Sequence, residues 1–193
     1  ALPIYARDNA RRIARFGGWG HILGDKGSGY EIGLRALKAV VFYFDRDGKW
    51  SRLGEMILRE LQLNEPNDLI AWVQNASKSD IAALAPLVFA AHAQREKIAA
   101  DILEGAAHSL AKDAVSCAAK LVERDAPVEF VLAGGVLTNQ PKFARVVASE
   151  IRERWPSARV APLAREGAWG AVALARELCG ESGAKTFESR ADK

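Results

Sequence analysis

The hydrophobic pattern changes period several times along the chain. Residues 2–7 and 11–16 are short β-prone runs around Asp8-Asn9, which predicts a hairpin with a polar turn. From Ser28 the apolar positions Tyr30, Leu34, Leu37, Val41 and Phe44 fall at three- and four-residue spacing, one face of a helix that Asp47-Gly48 closes. The same periodicity predicts helices over 51–63, 67–75 and 79–93, and then a long one over 95–122. The stripe of the long helix is Ile98, Ile102, Ala106, Leu110, Ala114, Cys117 and Leu121, and its alanines permit close packing against a sheet or another helix.

The last third has a different rhythm. "PVEFVLAGGVLTNQPKF" is a continuous apolar run, a Gly134-Gly135 pair, and a helix announced by Thr138 or Asn139 as cap with Pro141 in its first turn. That order of strand, tight turn and helix is the one used in nucleotide-binding α/β units. Residues 157–163 read as the next strand, and 167–180 as a helix of small residues able to lie close on a sheet. Beyond Gly180 periodicity ends, and 181–193 are expected to form a flexible tail.

Composition narrows the class. The 193 residues, 49% hydrophobic and 26% charged, suffice for one well-cored domain or two small ones. Net charge is +3, with Lys and Arg scattered among acids rather than gathered in a stripe, which argues against a nucleic-acid partner. Cys117 and Cys179 lack metal-ligand spacing and fit a reduced, cytoplasmic protein with no bound metal. No apolar run approaches the roughly 20 residues that cross a bilayer, so no membrane partner is expected. The abrupt start in a strand, without Met, leads us to expect a piece of a longer protein.

The candidate chemistry lies first in "GGWGHILGDKGSGYEIG", residues 17–33, which holds seven glycines. A hairpin turn needs one or two, so this density predicts main chain brought close to a ligand. Asp25 has two readings: a cap for the helix that follows or for its loop, or a carboxylate accepting hydrogen bonds from a neutral polyol beside Gly18 and Gly20. His21 reads as a ligand contact or as a structural hydrogen-bonder. Gly134-Gly135 is either punctuation or, with Asn139 and Pro141, a helix start beside which adenine, ribose or phosphate rests. Gly105 and Ala106 allow helix packing or the approach of a flat base. Trp169 is expected in the core, and Glu166 as a solvated cap.

Together, "FGGWGHILGDKGSGYEIG", "SDIAALAPLVFAAH", "AADILEGAAHSLA", "VLAGGVLTNQPKF" and "PLAREGAWGAVALA" resemble successive blocks of the N-acetylglucosamine kinase group, among the BadF/BadG/BcrA/BcrD-type ATPases of the sugar kinase, actin and heat-shock ATPase superfamily. The resemblance runs to about Leu178. It implies a ribonuclease-H-like α/β fold, a mixed sheet flanked by helices with a helical insertion, and ATP-dependent phosphorylation of an amino sugar with ATP and Mg²⁺ as cofactors. It assigns Gly18, Trp19, Gly20 and Asp25 to the sugar pocket, Gly134, Gly135 and Asn139 to the adenosine moiety, and Gly105 or Ala106 to the wall of the nucleotide cleft. Homodimerisation is also implied.

Two local departures stand out. Lys26 replaces the acid usual after the aspartate, and "AQRE" at 93–96 replaces a Gly-Asp turn before the long helix. A larger one is that the Asp-x-Gly-x-Thr loop, the catalytic aspartate and the second Gly-Thr-Gly turn are not in this sequence. Residues 1–180 are therefore expected to form a C-terminal lobe whose partner is the N-terminal lobe of the same protein, and the catalytic residues are expected on that other lobe. Two other readings remain: an ATPase that activates a redox enzyme, against which the unpaired cysteine spacing argues, and a non-catalytic sugar-sensing module.

Overall fold

The first hairpin forms where the alternation places it. β1 (Ile4–Arg7) and β2 (Ile13–Phe16) are antiparallel, with Ile4 opposite Phe16 and Arg7 opposite Ile13. Asp8 closes the turn by accepting hydrogen bonds from the Arg12 backbone N–H at 2.8 Å and from its Nε at 2.6 Å. The computed structural model describes residues 3–165 and 167–178; the predicted tail, Cys179 and the predicted cap Glu166 lie outside the described residues.

After one helical turn, α1 (Gly20–Leu23), comes α2 (Gly29–Asp47). The Ser28 hydroxyl accepts from the Glu31 N–H, and the Glu31 carboxylate accepts from the Gly27 N–H, a reciprocal arrangement that satisfies two otherwise orphaned donors. At the other end Gly48 takes the left-handed conformation, and its N–H reaches the Phe44 carbonyl. The buried face is rotated from the predicted stripe: Ile32, Ala36, Leu37 and Val40 are buried, while Val41 is 42% exposed. The reason is tertiary. Helices pack on α2 from two sides, and their placement selects the buried residues.

Next come α3 (Arg52–Glu60), α4 (Asp68–Asn75), α5 (Lys78–Ala82) and α6 (Ala85–Ala93). The helix predicted over 79–93 is thus two helices, because Pro86 lies in the first turn of α6 and has no N–H to continue a ladder from α5. The long helix, α7 (Lys97–Ala118), ends before the predicted boundary at 122. Ile98, Ile102, Ala106 and Cys117 are buried as the stripe predicts, and Ala99, Leu103, Ala107 and Ala111 bury a second face. Accordingly, α7 packs against α2, α6 and the hairpin. Arg12 donates to the Leu121 carbonyl and Lys120 to that of Arg15, both at 2.9 Å, which fastens β2 to the end of α7.

The βα pattern of the last third is present, with one addition. β3 (Val128–Leu132) leads into a short helix, α8 (Gly135–Asn139), then α9 (Pro141–Arg154) and β4 (Ala158–Pro162). Gln140, not Thr138 or Asn139, is the cap position of α9, because 138 and 139 are taken up by α8. β3 and β4 pair in parallel, Val128 opposite Ala158 and Leu132 opposite Pro162, and α9 packs on both α7 and β4. Trp155 anchors the unit. It is fully buried, donates from Nε1 to the Ala126 carbonyl at 2.7 Å, and meets Phe130 edge to face. Among the described residues the strands form two separate two-stranded sheets, β1-β2 antiparallel and β3-β4 parallel, flanked by helices.

One compact unit ends at Pro162 and a second begins at Leu163. The second contains α10 (Gly167–Leu178), as its small-residue pattern predicts. Trp169 is not a core residue: it is 59% exposed, with the Arg165 guanidinium 6.0 Å from its ring centre. Among the described residues of this unit, a single helix offers no second layer in which to bury the ring. None of the described helices is long and apolar enough to cross a membrane.

Candidate functional site

The glycine segment folds as a turn, α1, a loop and the start of α2. Gly20 has φ +81°, the left-handed region, and no atom lies within 4 Å of where its Cβ would stand, so its backbone faces open space. Gly18 differs: a Cβ there would come within 2.7 Å of Pro3. Trp19 is 68% exposed, with the Arg15 guanidinium 5.4 Å from its ring centre, and Ile22 and Leu23 are also exposed. His21 stands edge-on to the Tyr30 ring at 4.9 Å, so it is engaged with the first turn of α2.

Asp25 is the buried polar side chain of this region. Its side chain is 2% exposed, its backbone is left-handed at φ +60°, and its carboxylate meets the Lys78 ammonium at 3.3 Å. Ser28, not Asp25, caps α2, and within the loop the Asp25 carbonyl accepts from the Ser28 N–H at 3.1 Å. Lys26, next along the chain, pairs with Asp113 of α7 at 3.6 Å. Its charge is therefore engaged by α7 while the side chain stays half-exposed. The other departure is structurally conservative. Arg95 adopts the left-handed conformation at φ +62°, and Glu96 caps α7 by accepting from the Ala99 N–H at 2.9 Å. Those are the two tasks a Gly-Asp turn performs.

The diglycine turn is exposed at the end of β3. Gly134 has φ +95°, a conformation other residues rarely take, and Gly135 opens α8 with only the Asn139 side-chain nitrogen near its would-be Cβ, at 4.0 Å. The structure thus brings Gly134, Gly135 and Asn139 together at the carboxyl end of a parallel strand, where α/β folds present ligand sites. Of the α7 pair, Ala106 has no exposed surface and packs in the core, which leaves Gly105 as the member with accessible surface. Gly105 lies under the Arg35 guanidinium, which itself pairs with Glu31 at 3.7 Å. Beside it a groove of about 380 Å³ is lined by Arg35, Lys38, Phe42, Tyr43, Ile98 and Asp101. Sequence reasoning missed Lys78 and Arg35. Lys78 lies 53 residues from Asp25, and its only local signal, the Ser77-x-x-Asp80 capping box, marks a helix start without saying what that helix faces.

The pattern of the BadF/BadG/BcrA/BcrD ATPase family matches residues 4–175. The chain belongs to that family. It is 33% identical over 177 residues to the N-acetylmuramic acid/N-acetylglucosamine kinase of Clostridium acetobutylicum, covering 91% of this chain and 58% of that protein. It is 32% identical over 166 residues to the N-acetyl-D-glucosamine kinase of Dictyostelium discoideum, covering 83% of this chain and 52% of the relative. The fold matches, at TM-score 0.66 and 25% identity, the crystal structure of a Chromobacterium violaceum protein provisionally described as an N-acetylglucosamine kinase, covering 89% of this chain and 55% of that one. The chain thus spans a little over half the length of the curated relatives it matches.

Proposed function

We propose that the whole protein transfers a phosphoryl group from ATP to a hydroxyl of an amino sugar of the N-acetylglucosamine type, and that this chain supplies walls for sugar and adenosine. The observation that carries the reading is Asp25, the only buried polar or charged residue found among the described residues, set beside backbone that is open at Gly20. A desolvated carboxylate is a strong acceptor for sugar hydroxyls, and bonds to it are worth about 1.5–3 kcal/mol each. Exposed main chain at Gly20, the half-buried Gly18 packed on Pro3, and the ring of Trp19 complete the proposed sugar wall. Relatives that carry kinase names over most of this chain support the same reading.

The proposed nucleotide wall is the exposed turn Gly134, Gly135 and Asn139, with Gly105 on α7. ATP fits that surface because nothing projects from the diglycine backbone to obstruct a flat base or ribose. ATP supplies the phosphoryl group; this chain's residues bind and orient. Mg²⁺ belongs to the same proposal, but the described residues contain no group of three or more His, Cys, Asp or Glu side chains placed to hold a metal ion. The general base and the γ-phosphate contacts are assigned to an N-terminal lobe, and a cytoplasmic homodimer is part of the proposal.

The test is Asp25→Asn in the full-length protein, which removes the charge while keeping a residue that tolerates the left-handed backbone. The KM for N-acetylglucosamine should rise by about tenfold at unchanged thermal stability. An unchanged KM overturns the assignment.

A further inference from the structure

The glycine block serves the fold as well as the proposed ligand, and its second use carries a residue into the site. In α2, Gly33 lies directly against the carbonyl oxygen of Ile81, and a Cβ at Gly29 would stand 3.4 Å from the carbonyl oxygen of Ala82. Both carbonyls belong to α5, so the two glycines form a notch on one face of α2 that admits the α5 backbone. Ile81 fills the space beside it and is buried. The start of α5 is fixed in turn: the Ser77 hydroxyl accepts from the Asp80 N–H at 3.2 Å, and the Asp80 carboxylate accepts from the Ser77 N–H at 2.8 Å. Lys78 is the first residue of this seated, doubly capped helix, and its ammonium meets the Asp25 carboxylate.

We propose that Lys78 is a positioning residue for the sugar site, delivered by the Gly29–Gly33 notch and orienting the Asp25 carboxylate toward substrate hydroxyls. The inference rests on the proposed role of Asp25. The charges around the pair are consistent with it. Lys26 is committed to Asp113, and Glu31 is turned to the Gly27 N–H and Arg35, so neither is drawn to the Asp25 carboxylate. The Asp25 side chain is buried, and an ammonium fixed from α5 at 3.3 Å helps to set where its carboxylate points. Lys78 is about half exposed. Its contribution is accordingly modest in energy and lies in geometry.

The experiment is a kinetic comparison of Lys78→Met, Lys78→Arg, Asp25→Asn and the Lys78→Met/Asp25→Asn double variant in the full-length protein, with N-acetylglucosamine and ATP as substrates and thermal melting as the control for folding. Lys78→Met should raise the sugar KM by about fivefold while leaving the ATP KM unchanged. Lys78→Arg should restore most of the loss, and the double variant should be no worse than Asp25→Asn alone, because two residues acting through one contact are not additive. A raised sugar KM in Asp25→Asn with a normal one in Lys78→Met overturns the inference and leaves the functional reading standing. A normal sugar KM in Asp25→Asn overturns both. Additive losses in the double variant also overturn the inference, since Lys78 then acts independently of Asp25.

Discussion

The α-carbon of Gly33 and the carbonyl oxygen of Ile81 are in direct contact, with no room for a methyl group between them. Gly33→Ala would gain about 1 kcal/mol of helix propensity in α2, yet it forces α5 outward. Overpacking of this kind costs about 1–3 kcal/mol, and here the obstructing atom is backbone, which cannot swing aside as a side chain can. The net effect expected is a loss of up to about 2 kcal/mol, measured by urea denaturation of the variant against the parent.

At the diglycine turn the two positions should behave differently. Gly135 has space for a side chain and no positive φ, so Gly135→Leu should leave the melting temperature nearly unchanged while obstructing ATP. Titration calorimetry of the full-length protein should show weakened ATP binding and normal sugar binding. Gly134→Leu, placed at φ +95°, should lower stability as well.

Cys117 is fully buried, its thiol lying 3.5 Å from the Ile4 carbonyl and 3.7 Å from that of Ala14. Burial pushes its pKa up, which keeps it as the unreactive thiol rather than the thiolate. In a Cys179→Ser background Cys117 should therefore resist iodoacetamide at neutral pH until the protein is unfolded. The labelled fraction, read by intact-mass spectrometry, checks this.

The capping box of α5 gives a pH dependence with a definite sign. The hydrogen bonds from Ser77 hold the Asp80 carboxyl below its ordinary value of 3.8. A group whose folded pKa is depressed contributes stability that is present above the unfolded value and lost as pH falls through the folded one. Asp80→Asn should therefore melt at a lower temperature than the parent near pH 7, and the difference should shrink as the pH falls below the ordinary carboxyl value and through the depressed folded one. A melting series across that range is the measurement.

The chain of 193 residues by itself should not turn over substrate. General-base catalysis and γ-phosphate stabilisation each contribute orders of magnitude in rate, and the proposal places both on an N-terminal lobe. Assaying ATP-dependent phosphorylation of N-acetylglucosamine by this chain alone, and again with the remaining segment supplied, checks the division of labour. Turnover by the chain alone would direct attention to Asp101 in the groove, because Asp80 is a cap and Asp113 is paired with Lys26.

Local signals in the sequence carried most of the elements and some of the site. Ser28, Gly48 and Pro141 announce helix ends through hydrogen bonding and φ restrictions that act within a few residues, and they mark those ends in the structure. The rotation of the α2 face, the break between α5 and α6, and the one-turn helix α8 were not legible in the hydrophobic pattern. Their causes differ: α2 is shaped by partners far along the chain, α5 and α6 are parted by the backbone chemistry of Pro86, and α8 is too short to show a period. The same division runs through the candidate site. Asp25 stands out because its neighbours in sequence are glycines, whereas Lys78 becomes its neighbour only after α5 settles into a notch that no motif describes.

The left-handed backbone at Asp25 also limits what can be tried at that position. Most L-residues pay about 1–2 kcal/mol in that conformation; glycine pays nothing, and asparagine and aspartate pay little. A saturation library selected only for folding should therefore retain Asp, Asn and Gly at position 25 in preference to all others. Under the role proposed for Asp25, selecting the same library in the full-length protein for sugar phosphorylation should add a demand for negative charge, which of these three only aspartate meets. Glutamate, the usual conservative replacement, keeps the charge but fits the left-handed backbone poorly, so it should be depleted from both selections.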